Sequence, residues 1–385
     1  MELSERIVRA IAFHLPQFHP IPENDEWWGK GFTEWTNVAK ATPRFPGHYQ
    51  PHLPGDLGFY DLRLPEARAA QAELAANYGI YGFCYYHYWF NGRRVLERPV
   101  NEIWQSGEPD FPFCLCWANE NWTRRWDGLN DEVLLKQDYS AADDLEHIQS
   151  LIPVFFDRRY IRVMDRPLFL VYRASELPEP ERTTDRWRRE AERAGLKGLF
   201  LVRVESHHES GDPRNIGFDY SLEFQPCWPH AWFRIFRRKW WHIRRLGTHE
   251  PGLRDNNVLD YESWAGKALA APAPAYPRIP CVCPGWDNSP RRQRDANIVV
   301  NSTPEFYERW LRGVVNRMRP SSGSGISADS LVFLNAWNEW AEGNHLEPCQ
   351  RWGRKYLEAT KRALGVPANE GSEDTQCVSS SQHAS

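Results

Sequence analysis

The sequence predicts a (β/α)8 barrel, an α/β fold, on three observations. Eight short apolar runs recur along the chain, amphipathic stretches of helical period fall between them, and the runs are nearly continuously apolar rather than alternating. A strand that is apolar on both faces is one covered on both faces, as in parallel sheets wrapped by helices. Eight such units close most simply into one barrel domain; a doubly wound open sheet is the other arrangement that the pattern allows.

In chain order the predicted strands are Ile7–His14, Ile80–Tyr86, Phe111–Trp117, Pro167–Tyr172, Gly198–Val204, Tyr220–Phe224, Ile279–Cys283 and Leu331–Trp337. The first predicted helix, Pro65–Tyr78, has proline in its first turn and Gly79 as its stop. Val95–Gln105, Ala141–Phe156, Arg182–Ala194, Tyr261–Leu269, Pro304–Met318 and Arg354–Leu364 follow. The barrel thus takes residues 1–365, with an insertion at about 225–276 between strands six and seven. Residues 366–385 are polar and expected to be disordered.

Composition narrows the function. The 47 basic and 51 acidic residues leave a net charge of −4, too balanced to point to nucleic acid or another polyanion as partner. The 19 tryptophans exceed what a core requires; indoles stack on the C–H faces of sugars, or simply pack. No run approaches the roughly 20 apolar residues of a membrane span. The start, "MELSERIVRAIAFHLPQFHP", has charges where a signal peptide is apolar, so a cytoplasmic location is expected. Residues 232–245, "WFRIFRRKWWHIRR", concentrate basic and aromatic side chains, which suits peripheral contact with the inner membrane or an anionic glycan, or else a solvated helix. The pairs Cys114, Cys116 and Cys281, Cys283 lie in apolar runs rather than on loops and read as buried thiols, so no metal is expected.

In a barrel the site lies at the carboxyl ends of the strands. Strand one ends with His14, Gln17 and His19, strand two with Tyr86, His87, Tyr88 and Trp89. Strand three ends "WANENWTRRWDG", supplying Trp117, Asn119, Glu120, Trp122 and Trp126. Strand five ends at Glu205, strand six carries Glu223, and strand seven ends with Trp286 and Asp287. Strand eight ends "NAWNEWAEGNHLEP", with Asn335, Trp337, Asn338, Glu339, Trp340 and Glu342. Carboxylates, amides and indoles on one rim are the side chains that bind sugars, and no cofactor is implied. The chain has no G-x-x-x-x-G-K, no G-x-G-x-x-G after strand one, no H-E-x-x-H and no G-x-S-x-G, the usual marks of nucleotide, zinc and serine chemistry.

Paired carboxylates remain, and they are the tools of glycosidic bond cleavage, one protonating the leaving oxygen and the other acting as base or nucleophile. A helical turn after strand eight would put Glu339 and Glu342 about 5–6 Å apart at Cβ. Like charges that close raise one pKa, as an acid working near neutral pH requires.

At "AFHLPQFHPIPENDEWWGKGFTEWTNV", "WANENWTRRWDG" and "NAWNEWAEGNHLEP" the chain resembles the WbsX-type family of surface-polysaccharide glycosyltransferases, from Ile7 to about Leu364. Through the last motif it is also similar to glycoside hydrolase family 99, (β/α)8 barrels with endo-α-mannosidase activity. That resemblance implies Glu339 as the base that deprotonates a sugar 2-hydroxyl to give a 1,2-anhydro sugar. It implies Glu342 as the group that protonates the leaving oxygen and then activates water. Ala341 departs from the histidine usual there, which puts mannose specificity in question. Three expectations follow: a retaining hydrolase of an α-manno- or α-rhamno-configured polysaccharide, a glycosyltransferase of lipopolysaccharide or other surface-polysaccharide biosynthesis, or a glycan-binding barrel without turnover.

Overall fold

The computed structural model describes residues 8–124, 129–227, 251–318 and 326–366. All eight expected strands are present: β1 Arg9–His14, β2 Ile80–Phe90, β3 Phe113–Trp117, β4 Arg166–Val171, β5 Phe200–Glu205, β6 Tyr220–Glu223, β7 in two segments at Arg278–Ile279 and Cys281–Val282, and β8 Leu331–Leu334. They pair in parallel in the order β6-β5-β4-β3-β2-β1-β8. β7 closes the ring: its first segment pairs with β6 and its second with β8. Pro280, which has no N–H to give a ladder, divides the two.

Among the described residues, the α-helices longer than one turn are α1 Pro22–Trp28, α2 Glu34–Lys40, α3 Pro65–Asn77, α4 Arg98–Ser106, α5 Ala141–Phe155, α6 Pro180–Arg193, α7 Tyr261–Ala270, α8 Pro304–Val315 and α9 Lys355–Leu364. Local chemistry sets their starts: proline opens α3, α6 and α8, and Ser140, Asp260 and Thr303 accept from backbone N–H groups of α5, α7 and α8. α4 begins at Arg98 rather than at the expected Val95, because Arg93–Val95 folds back on β2 as an antiparallel strand. That hairpin also carries β2 past Tyr86 to Phe90.

Two features of the loops were not expected. The chain after β1 forms α1 and α2 before reaching α3, and within the insertion Asn257–Asp260 pairs in parallel with Asn297–Val300 outside the barrel sheet. This side sheet ties the described part of the insertion to the loop after β7. The basic stretch 232–245, Trp126 and the tail beyond Val366 lie outside the described residues.

Phe13, Tyr86 and Phe333, from three staves, and Phe224 just after β6 meet inside the barrel, with ring centroids 5.4–5.6 Å from that of Phe13. Outside it, Trp187 of α6 packs on Trp117 of β3 and Phe169 of β4. All four paired cysteines are buried and free, as read from the apolar runs. Among the described residues no helix is long and apolar enough to cross a membrane.

Candidate active site

Beyond β8 the chain forms a hairpin rather than the expected α-helical turn. Asn338–Glu339 pairs antiparallel with Asn344–His345, and between them Trp340–Glu342 make one 3-10 turn. Gly343 closes it at φ +57°, where an added Cβ would lie 3.0 Å from that of Asp287. A 3-10 turn has three residues, so side chains at i and i+3 stand in line, and Glu339 and Glu342 still face the same way.

Neighbouring residues fix the hairpin. Asn338 accepts from the Leu15 N–H at 2.7 Å and donates to the Leu15 carbonyl at 3.0 Å, binding the hairpin to the loop after β1. Trp340 is 1 % exposed, stacks on His345 at 3.7 Å and donates its indole N–H to Glu347 at 2.6 Å. Gln71 and Tyr60 also donate to Glu347, yet burial pushes that carboxyl up to about 7.

Both glutamates meet one cation, Arg291 of the loop after β7. Its Nη2 donates to Glu339 at 3.0 Å and its Nη1 to Glu342 at 2.6 Å. A third carboxylate, Glu34 at the start of α2, is fully buried and bonds the same Nη2. Burial works against the Arg291 cation, but the three carboxylates hold its pKa well above the usual value. Burial likewise pushes Glu339 up to about 8; Arg291 opposes this, and the Glu342 and Glu34 charges add to it. Glu342 is raised too, first by burial, with Arg291 again opposing. Three carboxylates around one guanidinium retain a proton near neutral pH, and that proton belongs to the coupled pair.

Above the Phe13 layer, a cavity of about 270 Å³ opens at the carboxyl ends of the strands. Of the predicted residues, Gln17, Tyr86, Glu120, Trp122, Trp286, Asn335, Glu339 and Glu342 line it. Three buried amide atoms on its wall, Gln17 Nε2, Asn24 Nδ2 and Asn335 Oδ1, have no hydrogen-bond partner among the described residues. Buried amides left this way cost stability unless water or a ligand completes them. Trp122 is braced edge-on by Trp27, Tyr88 and Phe90, which fixes the plane of its indole. Glu120 pairs with Arg173 at 3.0 Å.

The other predicted residues lie elsewhere. His87 and Trp89 point outward to α5, where His87 meets His147 at 2.9 Å and Trp89 donates to Asp143 at 2.9 Å. Strand side chains alternate, so Tyr86 and Tyr88 face the cavity and their neighbours do not. Trp117 and Asn119 show the same parity, buried against α6 and bonded to the Arg173 backbone. His14 bonds Gln71 at 3.1 Å behind the barrel wall, and burial lowers it to about 4. Trp337 is fully buried against Phe83. Glu205 is engaged by Arg203, Tyr276 and Arg278. Buried Asp287 is nonetheless held below the usual carboxylate range by hydrogen bonds from His48, Gln50 and the Ser289 N–H. Among the described residues no group of three or more His, Cys, Asp or Glu is placed to hold a metal.

Sequence reasoning missed Arg291, Glu34, Asn24 and the α1 tryptophans Trp27 and Trp28 as lining or supporting residues. The hints were "NSPRR" just after the strand-seven rim and "EWW" and "TEW" after strand one.

A barrel with paired acidic residues, orphaned amides and indoles at the carboxyl ends of its strands is of the carbohydrate-active class. The chain belongs to the WbsX glycosyltransferase family, whose model matches residues 10–360. It is 46 % identical over 355 residues to the uncharacterized protein WxcX of Xanthomonas campestris pv. campestris, in strains ATCC 33913 and B100. The match takes 92 % of this chain and spans about half the length, 49 %, of those relatives. In fold it is similar to the GH99 endo-alpha-mannosidase from Bacteroides thetaiotaomicron, with a TM-score of 0.53 at 14 % identity over 93 % of this chain and 96 % of that one. A glycoside hydrolase-like protein aligns with a TM-score of 0.56 at 12 % identity over 94 % and 96 %.

Proposed function

We propose that this protein is a retaining glycoside hydrolase that cleaves an α-manno- or α-rhamno-configured linkage in a surface polysaccharide. The observation that carries this reading is the pairing of Glu339 and Glu342 on one buried guanidinium, in the wall of a cavity where three buried amide atoms have no partner among the described residues. Such a pair holds one proton and one negative charge, the two things that glycosidic cleavage needs.

Glu342 donates the proton to the departing oxygen, and Glu339 accepts the proton of the sugar 2-hydroxyl as that oxygen attacks C1. The C1–leaving-group bond breaks as the C1–O2 bond of a 1,2-anhydro sugar forms. Water, deprotonated by Glu342, then opens that ring at C1 while O2 recovers its proton from Glu339. In the free protein burial raises both carboxyls, so the pair shares its proton. A sugar hydroxyl donating to Glu339 stabilises its ionised form, which shifts the shared proton to Glu342, where the reaction requires it. Arg291 keeps both carboxylates aimed into the cavity, while Trp122 and Trp286 offer faces to the sugar rings and Gln17, Asn24 and Asn335 bond the hydroxyls.

The family's designation favours a second reading, transfer of the sugar to an acceptor in polysaccharide assembly. The two part at the second step, where water or an acceptor hydroxyl attacks. Incubation with a panel of α-mannose- and α-rhamnose-containing polysaccharides, without and with sugar nucleotides, separates them. New reducing ends without a donor support the hydrolase. Product only with a donor supports the transferase and removes the hydrolase reading.

A further inference from the structure

A second cavity, of about 260 Å³, shares the Trp286 indole with the first and is walled by the far strand of the catalytic hairpin. His48, Tyr49 and His52 after α2, the start of α8, and Arg351, Trp352 and Tyr356 at α9 complete it. Apart from Trp286, the proposed reaction uses none of these side chains.

The interior of this cavity is neutral or satisfied. His52 Nδ1 and His345 Nε2 lie 3.1 Å apart, and burial holds these rings near 4 and 3, so neither is a cation at neutral pH. The Asp287 carboxylate is taken up by His48, Gln50 and the Ser289 N–H. The charge available to a ligand stands at the mouth. The Arg351 guanidinium lies 4.5 Å from the Tyr49 ring centroid and 5.1 Å from that of Trp352, and Lys355 Nζ lies 5.9 Å from Trp352.

Neither Arg351 nor Lys355 forms an ion pair among the described residues, whereas Arg173, Arg278, Arg291 and Arg354 all hold carboxylates. Two half-buried rings restrain the Arg351 side chain, so binding an anion there orders little that is not already ordered. A guanidinium presents a planar fork that matches a carboxylate with two parallel hydrogen bonds. The parts of the Tyr49 and Trp352 rings that Arg351 leaves uncovered line the cavity and give apolar surface to sugar C–H groups.

We infer that this cavity is a second carbohydrate site, selective for a glycan residue that carries a carboxylate, with Tyr49 and Trp352 against the sugar and Arg351 on its acid group. It needs no turnover and stands whether the first cavity hydrolyses, transfers or only binds.

The test is calorimetric titration of the full chain with tetragalacturonate and tetraglucuronate, each beside its methyl ester, which keeps the shape and removes the charge. The acids should bind at least 10-fold more tightly than the esters, with affinity falling as salt is raised. Arg351→Gln, an exposed change, should bring the acids down to the level of the esters, and Lys355→Gln should have a smaller effect. Trp122→Ala, in the first cavity, should leave the affinity unchanged. Equal affinity for acid and ester, no binding of either acid, unaltered binding by Arg351→Gln, or loss on Trp122→Ala would each overturn the inference.

Discussion

Replacing Glu339 with glutamine should change how stability depends on pH. Glu339 is 6 % exposed and its carboxyl is raised from 4.5 to about 8. The folded state therefore holds this proton more tightly than the unfolded chain does. The stability gained from this is complete below 4.5 and is lost as pH rises through about 8. At about 1.4 kcal/mol per pH unit, that window corresponds to at most about 5 kcal/mol, and sharing the proton with Glu342 divides it. A chain of 385 residues unfolds with an entropy of roughly 0.8 kcal/mol/K, so the loss is a fall in Tm on the order of 5 °C. Glutamine mimics the protonated acid and should abolish this part of the slope. The measurement is Tm by calorimetry from pH 4.5 to 9 for both proteins. Buried histidines and Glu347 titrate in both, so the difference between the two curves isolates the Glu339–Glu342 pair. Parallel curves, or a native protein that gains stability relative to the variant as pH rises, would refute the assignment of a raised, buried carboxyl.

Other consequences are as direct. Glu342→Gln should lower turnover by about 10²–10⁴-fold, the usual contribution of a positioned acid or base, while circular dichroism stays unchanged. Turnover in the native protein should fall on the alkaline side near pH 8 as the pair loses its shared proton, and Arg291→Gln, which removes the opposing cation, should move that limb upward in a pH–rate profile. Asn335→Ala should raise KM more than it lowers kcat, because the proposed reaction uses this cavity-lining side chain to bind a sugar hydroxyl and not at the reacting bond. Trp340→Ala removes a side chain 1 % exposed and stacked on His345, so chemical denaturation should show a loss of about 3–5 kcal/mol.

The sequence disclosed the barrel because each stave is a short, doubly apolar run bounded by turn residues, a signal that survives without any partner being known. The spacing that turns Glu339 and Glu342 the same way was equally open to reading, since both lie within one hairpin. Arg291 and Glu34 were not, because their contact joins positions 257 residues apart, one on the loop after β7 and the other at the start of α2. The parity of the strand ends was also hidden: "YYHYW" names the rim, but only the pairing of β2 decides that Tyr86 and Tyr88 turn inward while His87 and Trp89 pack on α5. The expected helical turn after β8 became a hairpin because Asn338 is bonded to both backbone groups of Leu15 and Gly343 reverses the chain.

The most direct measurement is proton NMR of the anomeric centre in the first product released from an α-mannose or α-rhamnose polysaccharide, followed before mutarotation, with the Glu342→Gln protein beside it. Release of the α-anomer by the native protein and none by the variant is expected of the paired glutamates acting through a 1,2-anhydro sugar. Release of the β-anomer, or equal release by the variant, would contradict it.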